Sequence, residues 1–158
     1  MFEFDAINKL FDKAKSLNEG RAWIFVIDSG VQRKIIELNT TDQLGREGID
    51  SDGDSLGDYA PLTVEIRSNG SDPRNKAGRS LQTDHIDFKV TGDYWDSWKV
   101  QVTSTQIIVT TDPNRYNELV NELRFSPEHV GLTEENLEII RKIVLPKYQE
   151  YARRELFS

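Results

Sequence analysis

The stretch Phe88–Val102, FKVTGDYWDSWKVQV, decides how this chain is read. Phe88 and Val90 lie two apart before a Thr91-Gly92-Asp93 break, and Trp98, Val100 and Val102 lie two apart after it. A period of two marks strands with one buried face, so the stretch predicts two strands of a core sheet around a turn. Gly92 suits a turn or bulge needing positive φ, and Asp93 can bond its own backbone to hold it. Tyr94 and Trp95 stand where the chain changes direction. Large rings are the usual contents of a small core. Trp95 and Trp98, however, are three apart, so on a strand they point to opposite faces, and a one-sided sheet cannot bury both. Two readings stay open: aromatics that are simply core, or a rim turned toward another chain.

Downstream, Thr103–Gln106 reads as a turn, and Ile107, Ile108 and Val109 supply a β-branched strand that continues an antiparallel meander. Asp112 followed by Pro113 is a helix start, with Tyr116, Leu119, Val120 and Leu123 as its buried side, ended by Ser126 and Pro127. Thr133 as N-cap, with Glu134 and Glu135 in the first turn, opens a last helix. Its stripe is Leu137, Ile140, Val144, Tyr148 and Tyr151. Pro146 should bend or divide it by removing a donor and crowding the Lys142 carbonyl, and Arg153 and Arg154 complement its negative end.

Upstream, Phe4, Ile7, Leu10, Phe11, Ala14 and Leu17 predict an amphipathic helix over 3–18, ended by Gly20. The first half of residues 21–38 is apolar enough for a buried strand, yet Trp23, Ile27, Val31, Ile35 and Leu38 keep one helical stripe, so the segment reads as a helix weakened by Gly30. Residues 39–63 are polar and glycine-bearing and read largely as loop. Residues 62–67 fit either a short edge strand or a helical turn, and 68–80 read as a long polar loop of the kind that orders against a partner. The whole predicts an α+β fold over 1–158 as one domain: N-terminal helices, a small antiparallel sheet and a C-terminal helix packed on it.

The chain has 158 residues, no cysteine, a net charge of −7 and a pI near 4.9. Cysteine chemistry is therefore excluded, and an acidic chain is a poor non-specific ligand for nucleic acid. The opening MFEFDAINKLF carries acids early and does not read as a signal peptide, and no apolar run approaches the ~20 residues of a membrane span. Arg67, Arg74, Lys76 and Arg79 face a single Asp72 in a basic loop without interleaved aromatics.

Candidates for chemistry are few. Asp50, Asp52 and Asp54 alternate as the first ligands of a calcium loop do, but Ser55 stands where glycine belongs and Pro61 where a bidentate glutamate belongs. An Asx-rich turn, with Gly53 and Gly57 permitting the bends, is the competing reading. Asp84, Asp87 and Lys89 in DHIDFK could hold a divalent ion and polarise water in the manner of a metal-dependent nuclease. The alternative is a solvent-facing charge row with Phe88 and Val90 on the inner face. His85 and His129 stand in no metal-ligand spacing, and neither G-x-S-x-G nor a phosphate-cradling glycine motif occurs. The expectation is a protein without catalysis, metal or cofactor.

The order of parts is more telling. GIDSDGDSLGDYAPLT, then VTGDYWDSWKV, then a strand and a helix announced by VGLTEENLEIIRKIV, resembles the tail-completion and virion-morphogenesis proteins of tailed bacteriophages from about Asn39 to Tyr151. Thr91, Gly92 and Ser97 match that family's threonine-glycine lead into a strand, and Gly131, Leu132, Thr133, Glu134 and Glu135 match the opening of its last helix. Ser126, Pro127, Glu128 and His129 depart from it, standing where members often show an arginine, a proline and a large apolar residue. The resemblance implies a structural subunit, assembled in the host bacterial cytoplasm, that forms a homo-oligomeric ring, sixfold by expectation, at the neck or tail of a virion. Its partners would be copies of itself and other neck or tail proteins, with neither nucleic acid nor membrane as primary ligand. Tyr94, Trp95, Trp98, Arg74, Lys76 and Arg79 are the candidate interface, and the 39–61 and 68–80 loops would reach the neighbour. A host binding module is a third reading.

Overall fold

A computed structural model describes residues 19–103 and 106–157, so the helix expected over 3–18 lies outside the described residues. The chain is α+β, with helices at both ends of the described part around a two-stranded antiparallel sheet.

The apolar stripe of residues 21–38 is carried by two helices rather than one, α1 (Glu19–Val26) and α2 (Ser29–Glu37). Asp28 makes the break. Its Oδ1 accepts from the backbone N–H of Gly30 and Val31, both at 3.0 Å, which caps α2. Gly30 gives that cap room, since a Cβ there would sit 3.2 Å from the same carboxylate oxygen. Gly20 lies inside α1 and does not end a helix.

Residues 38–47 are not loop. They form a π-helical stretch, Leu38–Glu47, that buries Leu38, Asn39, Thr40, Gln43 and Leu44 and stops at Gly48, whose φ is +64°. Its polar letters concealed it, because Asn39 and Gln43 are buried with their side chains bonded to residues 129–136. Beyond it, Asp50 Oδ1 accepts from the N–H of Asp52 at 3.0 Å and of Asp54 at 2.9 Å, which is the Asx turn. Residues 61–68 resolve as helix α3 (Pro61–Ser68), with proline in its first turn.

The strand expected at Phe88–Val90 does not form. Phe88 has φ +56°, and Asp87, Arg67 and Trp95 take the backbone bonds around it that a neighbouring strand would need. After the turn α4 (Asp93–Asp96) come β1 (Lys99–Val102) and β2 (Ile107–Thr110), paired Lys99↔Thr110 through Val102↔Ile107, so the sheet is a hairpin and not a meander. Asp112 caps α5 (Pro113–Asn117) through the Asn114 N–H at 2.9 Å, and a π turn, Glu118–Glu122, follows. Leu119 there is buried, whereas Leu123, expected on the buried side, is exposed. Thr133 caps α6 (Glu134–Phe157), its Oγ1 accepting from Asn136 N–H. Pro146 does not divide α6; Pro146 and Lys142 are both exposed, so the carbonyl left without a donor can face water.

Two cores result. An aliphatic one joins Val26, Ile27, Val31, Ile35 and Leu38 to Ile140 of α6, with Val100 and Val102 of the hairpin packed against it. The other joins Leu44, Leu56, Ile86, Phe88, Tyr94, Trp98 and Leu119, and Val109 packs on both.

Candidate functional site

The residues singled out in the sequence fall into three places. Tyr94 and Trp98 are core, with relative exposures of 7% and 3%, their rings edge-on at 5.9 Å. They do not share a strand with Trp95: Tyr94 and Trp95 sit in α4, and Trp98 follows it, so the helical turn sends Tyr94 and Trp98 to one side. Trp95 alone is half-buried. Its Nε1 donates to the Asp87 carbonyl at 3.0 Å, the Lys89 ammonium lies 4.3 Å from a ring centroid, and the ring edge presses on Gly45, where any Cβ would come within 2.7 Å. Lys76 and Arg79 are exposed on the 68–80 loop. Arg74 folds back on buried Asp72, donating to both carboxylate oxygens, and that guanidinium holds the Asp72 carboxyl below its ordinary value.

Asp84, Asp87 and Lys89 do not converge. Asp87 is buried and turned inward: Oδ1 accepts from Arg67 at 3.0 Å, from the Tyr59 hydroxyl at 2.8 Å and from the Lys89 N–H at 2.8 Å, while Oδ2 accepts from Arg67 at 3.2 Å. Arg67 is spent in turn, also donating to the carbonyls of Gln82 at 2.7 Å and Lys89 at 2.9 Å with its guanidinium over the Tyr59 ring. Burial pushes the Tyr59 hydroxyl up, which keeps it a donor to Asp87. Four hydrogen bonds, two of them from the Arg67 guanidinium, hold this carboxylate as a structural acceptor. Asp84 and Lys89 are exposed, with the lysine over Trp95 and not beside Asp87. Among the described residues no three metal-ligating side chains come together.

The histidines are equally committed. His85 Nε2 lies 3.1 Å from the Gly45 carbonyl, and its ring fills the space over Gly48. His129 is fully buried, with Nδ1 2.6 Å from the Ser126 carbonyl and Nε2 2.7 Å from the Tyr94 hydroxyl. The carbonyl can only accept, so Nδ1 carries the proton and Nε2 accepts from Tyr94. Burial lowers the His129 pKa and raises that of Tyr94 to about 12, so both stay neutral.

The residues that match the phage resemblance are joints. Thr91 Oγ1 accepts from Asp93 N–H, Gly92 has φ +98°, and Ser97 Oγ lies 2.8 Å from Thr111 Oγ1 and accepts from Asp112 N–H, tying α4 to the end of the hairpin. Gly131 donates its N–H to Asn39 Oδ1 at 2.8 Å and accepts from Gln43 Nε2 at 2.9 Å; Gln43 Oε1 accepts from Thr133 N–H and Asn136 Nδ2. Sequence reasoning put Arg67 on a basic loop, whereas it is buried in α3, and it did not single out Tyr59, Asn39 or Gln43. For Arg67 one signal existed: it lies three residues after Val64, on a helix that the proline at 61 announces.

Two depressions border these parts. One of about 360 Å³ is lined by Gly45, Arg46, Arg67, Lys89 and Trp95 among others. The other, of about 470 Å³, lies between α1 and α6 and is apolar at Trp23, Val144, Leu145 and Tyr148. Among the described residues no helix is long and apolar enough to cross a membrane. No family model, no curated protein and no solved structure matches this chain.

Proposed function

We propose that this chain is a structural subunit of a tailed-phage virion, copies of which form a ring at the neck or tail and perform no covalent chemistry. The observation that carries the reading is the commitment of the reactive side chains: Asp50, Asp87, His85 and His129 are each bonded to backbone. Short motifs spent on joints are what a subunit needs when its task is to hold a shape.

Ring contacts are heterologous, so two different surfaces of one copy must fit each other. Trp95 under Lys89 and the exposed Lys76 and Arg79 offer basic surface, and the exposed acids Asp52, Asp54 and Asp58 offer surface of opposite charge. Sedimentation velocity with negative-stain microscopy, on the protein alone and mixed with the products of neighbouring genes, tests the reading. Rings weakened by Trp95→Ala and by the pair Lys76→Glu and Arg79→Glu are the expected result. Divalent-ion-dependent hydrolysis of nucleic acid that is lost in Asp84→Ala would overturn it in favour of an enzyme.

A further inference from the structure

We propose that the depression beside Trp95 and Lys89 is a socket for the acidic turn of residues 50–58 of a second copy of this chain. The contact rests on the ring reading and gives it a definite pair of surfaces. The depression has a volume of about 360 Å³, and its wall carries the Trp95 indole and three cations, Arg46, Arg67 and Lys89. Two of those cations are already neutralised, Arg67 by Asp87 at 3.0 Å and Arg46 by Asp42 at 2.8 Å. Lys89 is exposed and enters no ion pair among the described residues. Its ammonium is held 4.3 Å from a Trp95 ring centroid, and the indole is fixed by its bond to the Asp87 carbonyl. The socket therefore presents one spare positive charge on an ordered aromatic wall, and a carboxylate is the group that neutralises it.

The turn supplies carboxylates in matching form. Asp52, Asp54 and Asp58 are exposed and enter no ion pair among the described residues. The part that bears the first two is built before any contact is made. Asp50 N–H donates to the Asp54 carbonyl at 2.9 Å, Asp50 Oδ1 accepts from the N–H groups of Asp52 and Asp54, and Ile49 bridges Ser55. Gly53 at the tip has φ +84°, and a Cβ there would meet nothing within 4 Å, so the space at the tip is open. Both sides are ordered before they meet, which spares the entropy that a flexible loop loses on docking. The net charge of −7 makes copies repel wherever acids face acids, so a contact between them has to set acids of one against unspent cations of the other. Asp52 and Gly53 border a different depression, with Leu132 and Leu137, that shares no lining residue with the socket. The contact thus joins two unlike surfaces, as a closed ring requires.

Charge exchange tests it. Full-length Lys89→Glu, and separately Asp52→Lys with Asp54→Lys, should each weaken self-association in sedimentation velocity by at least about tenfold. An equimolar mixture of the two variants should restore it, because every basic turn then finds an acidic socket and every acidic turn a basic one. Carbodiimide coupling of isotope-labelled with unlabelled wild type, read by mass spectrometry, should give mixed-isotope peptides that join Lys89 to Asp52, Asp54 or Asp58. Variants that assemble as well as the wild type, or a mixture no stronger than its parts, overturn the contact and leave the ring standing. Cross-links confined to single copies, or running from Lys89 only to other acids, overturn it as well. A wild type that neither self-associates nor cross-links between copies, alone or with the products of neighbouring genes, overturns both the contact and the ring.

Discussion

The two cores of this protein are built on different principles. In the aliphatic core Val26, Ile27, Val31, Ile35, Leu38 and Ile140 contribute no polar atom, so its order follows from spacing along α1, α2 and α6. The second core wraps Phe88, Tyr94, Trp98 and Leu119 around groups that must be bonded to be buried at all: the Arg67–Asp87 pair, the His129–Tyr94 contact, and the two amides Asn39 and Gln43 that clamp the π-helical stretch to the lead-in of α6. The first should best tolerate apolar changes that keep volume. The second has partners that cannot be removed singly, because an orphaned buried polar group costs its full desolvation.

The largest break is therefore expected at Arg67. Arg67→Ala leaves the Asp87 carboxylate buried beside its other donors without a counter-charge, and chemical denaturation should show a loss of about 3–5 kcal/mol. Replacing both partners, Arg67→Met with Asp87→Leu, should recover part of that loss. A double variant no better than the single one would mean that the pair's bonds to the Gln82 and Lys89 carbonyls, and not its charge, hold the loop. Next comes the aliphatic core, where Ile35→Ala should cost about 2–4 kcal/mol through lost transfer energy and the cavity left behind, and Ile35→Val about 1 kcal/mol. A cost at Ile35 exceeding that at Arg67 would reverse the ranking of the two regions.

The same division explains what could be read from the letters. Every element whose residues repeat with a helical or strand period was legible: the stripe from Ile27 to Leu38, the 107–110 strand, the Asp112-Pro113 start and the Thr133 cap. The second core was not. Asn39 and Gln43 read as loop because their polarity is visible in the sequence and their partners, about ninety residues away, are not. Phe88 and Val90 alternate like a strand, yet Arg67 reaches the Lys89 carbonyl and Asp87 the Lys89 N–H, so side chains replace the ladder and Phe88 takes a positive φ. Trp95 and Trp98, three apart, would face opposite ways on a strand, and it is the α4 turn that separates them. Long-range side-chain bonds override local period, and one sequence does not reveal them.

Protonation gives a finer probe of the second core. Burial lowers the His129 pKa in the folded state, so from about pH 6.5 downward the unfolded chain takes up a proton that the folded chain refuses. The contribution is whole above that pH and is lost as pH falls toward the folded pKa, by up to about 1.4 kcal/mol per pH unit. Glu128 and Asp50 act on the ring in the opposite sense and limit the effect. Comparing unfolding midpoints at pH 7.5 and 5.5 for the wild type and His129→Gln isolates it: the extra loss on acidification should vanish in the variant. Equal slopes in the two would mean that the ring is already accessible to solvent protons.

The smallest effect sharpens the comparison most, because it takes the polar bonding of the second core to an exposed place in the first. Asp28 holds the start of α2 by two backbone N–H bonds, as Asn39 and Gln43 hold the approach to α6, but it lies at the surface, paired with Lys147. That lysine holds the Asp28 carboxyl below its ordinary value, so its share of stability is present above about pH 4 and fades as pH falls further. Water can replace the lost acceptor, and Asp28→Ala should cost about 1 kcal/mol, with Asp28→Asn costing less because the amide oxygen still caps. If Asp28→Ala proves as damaging as Arg67→Ala, then burial is not what makes the second core intolerant. The break between α1 and α2 would then be a hinge on which both cores depend.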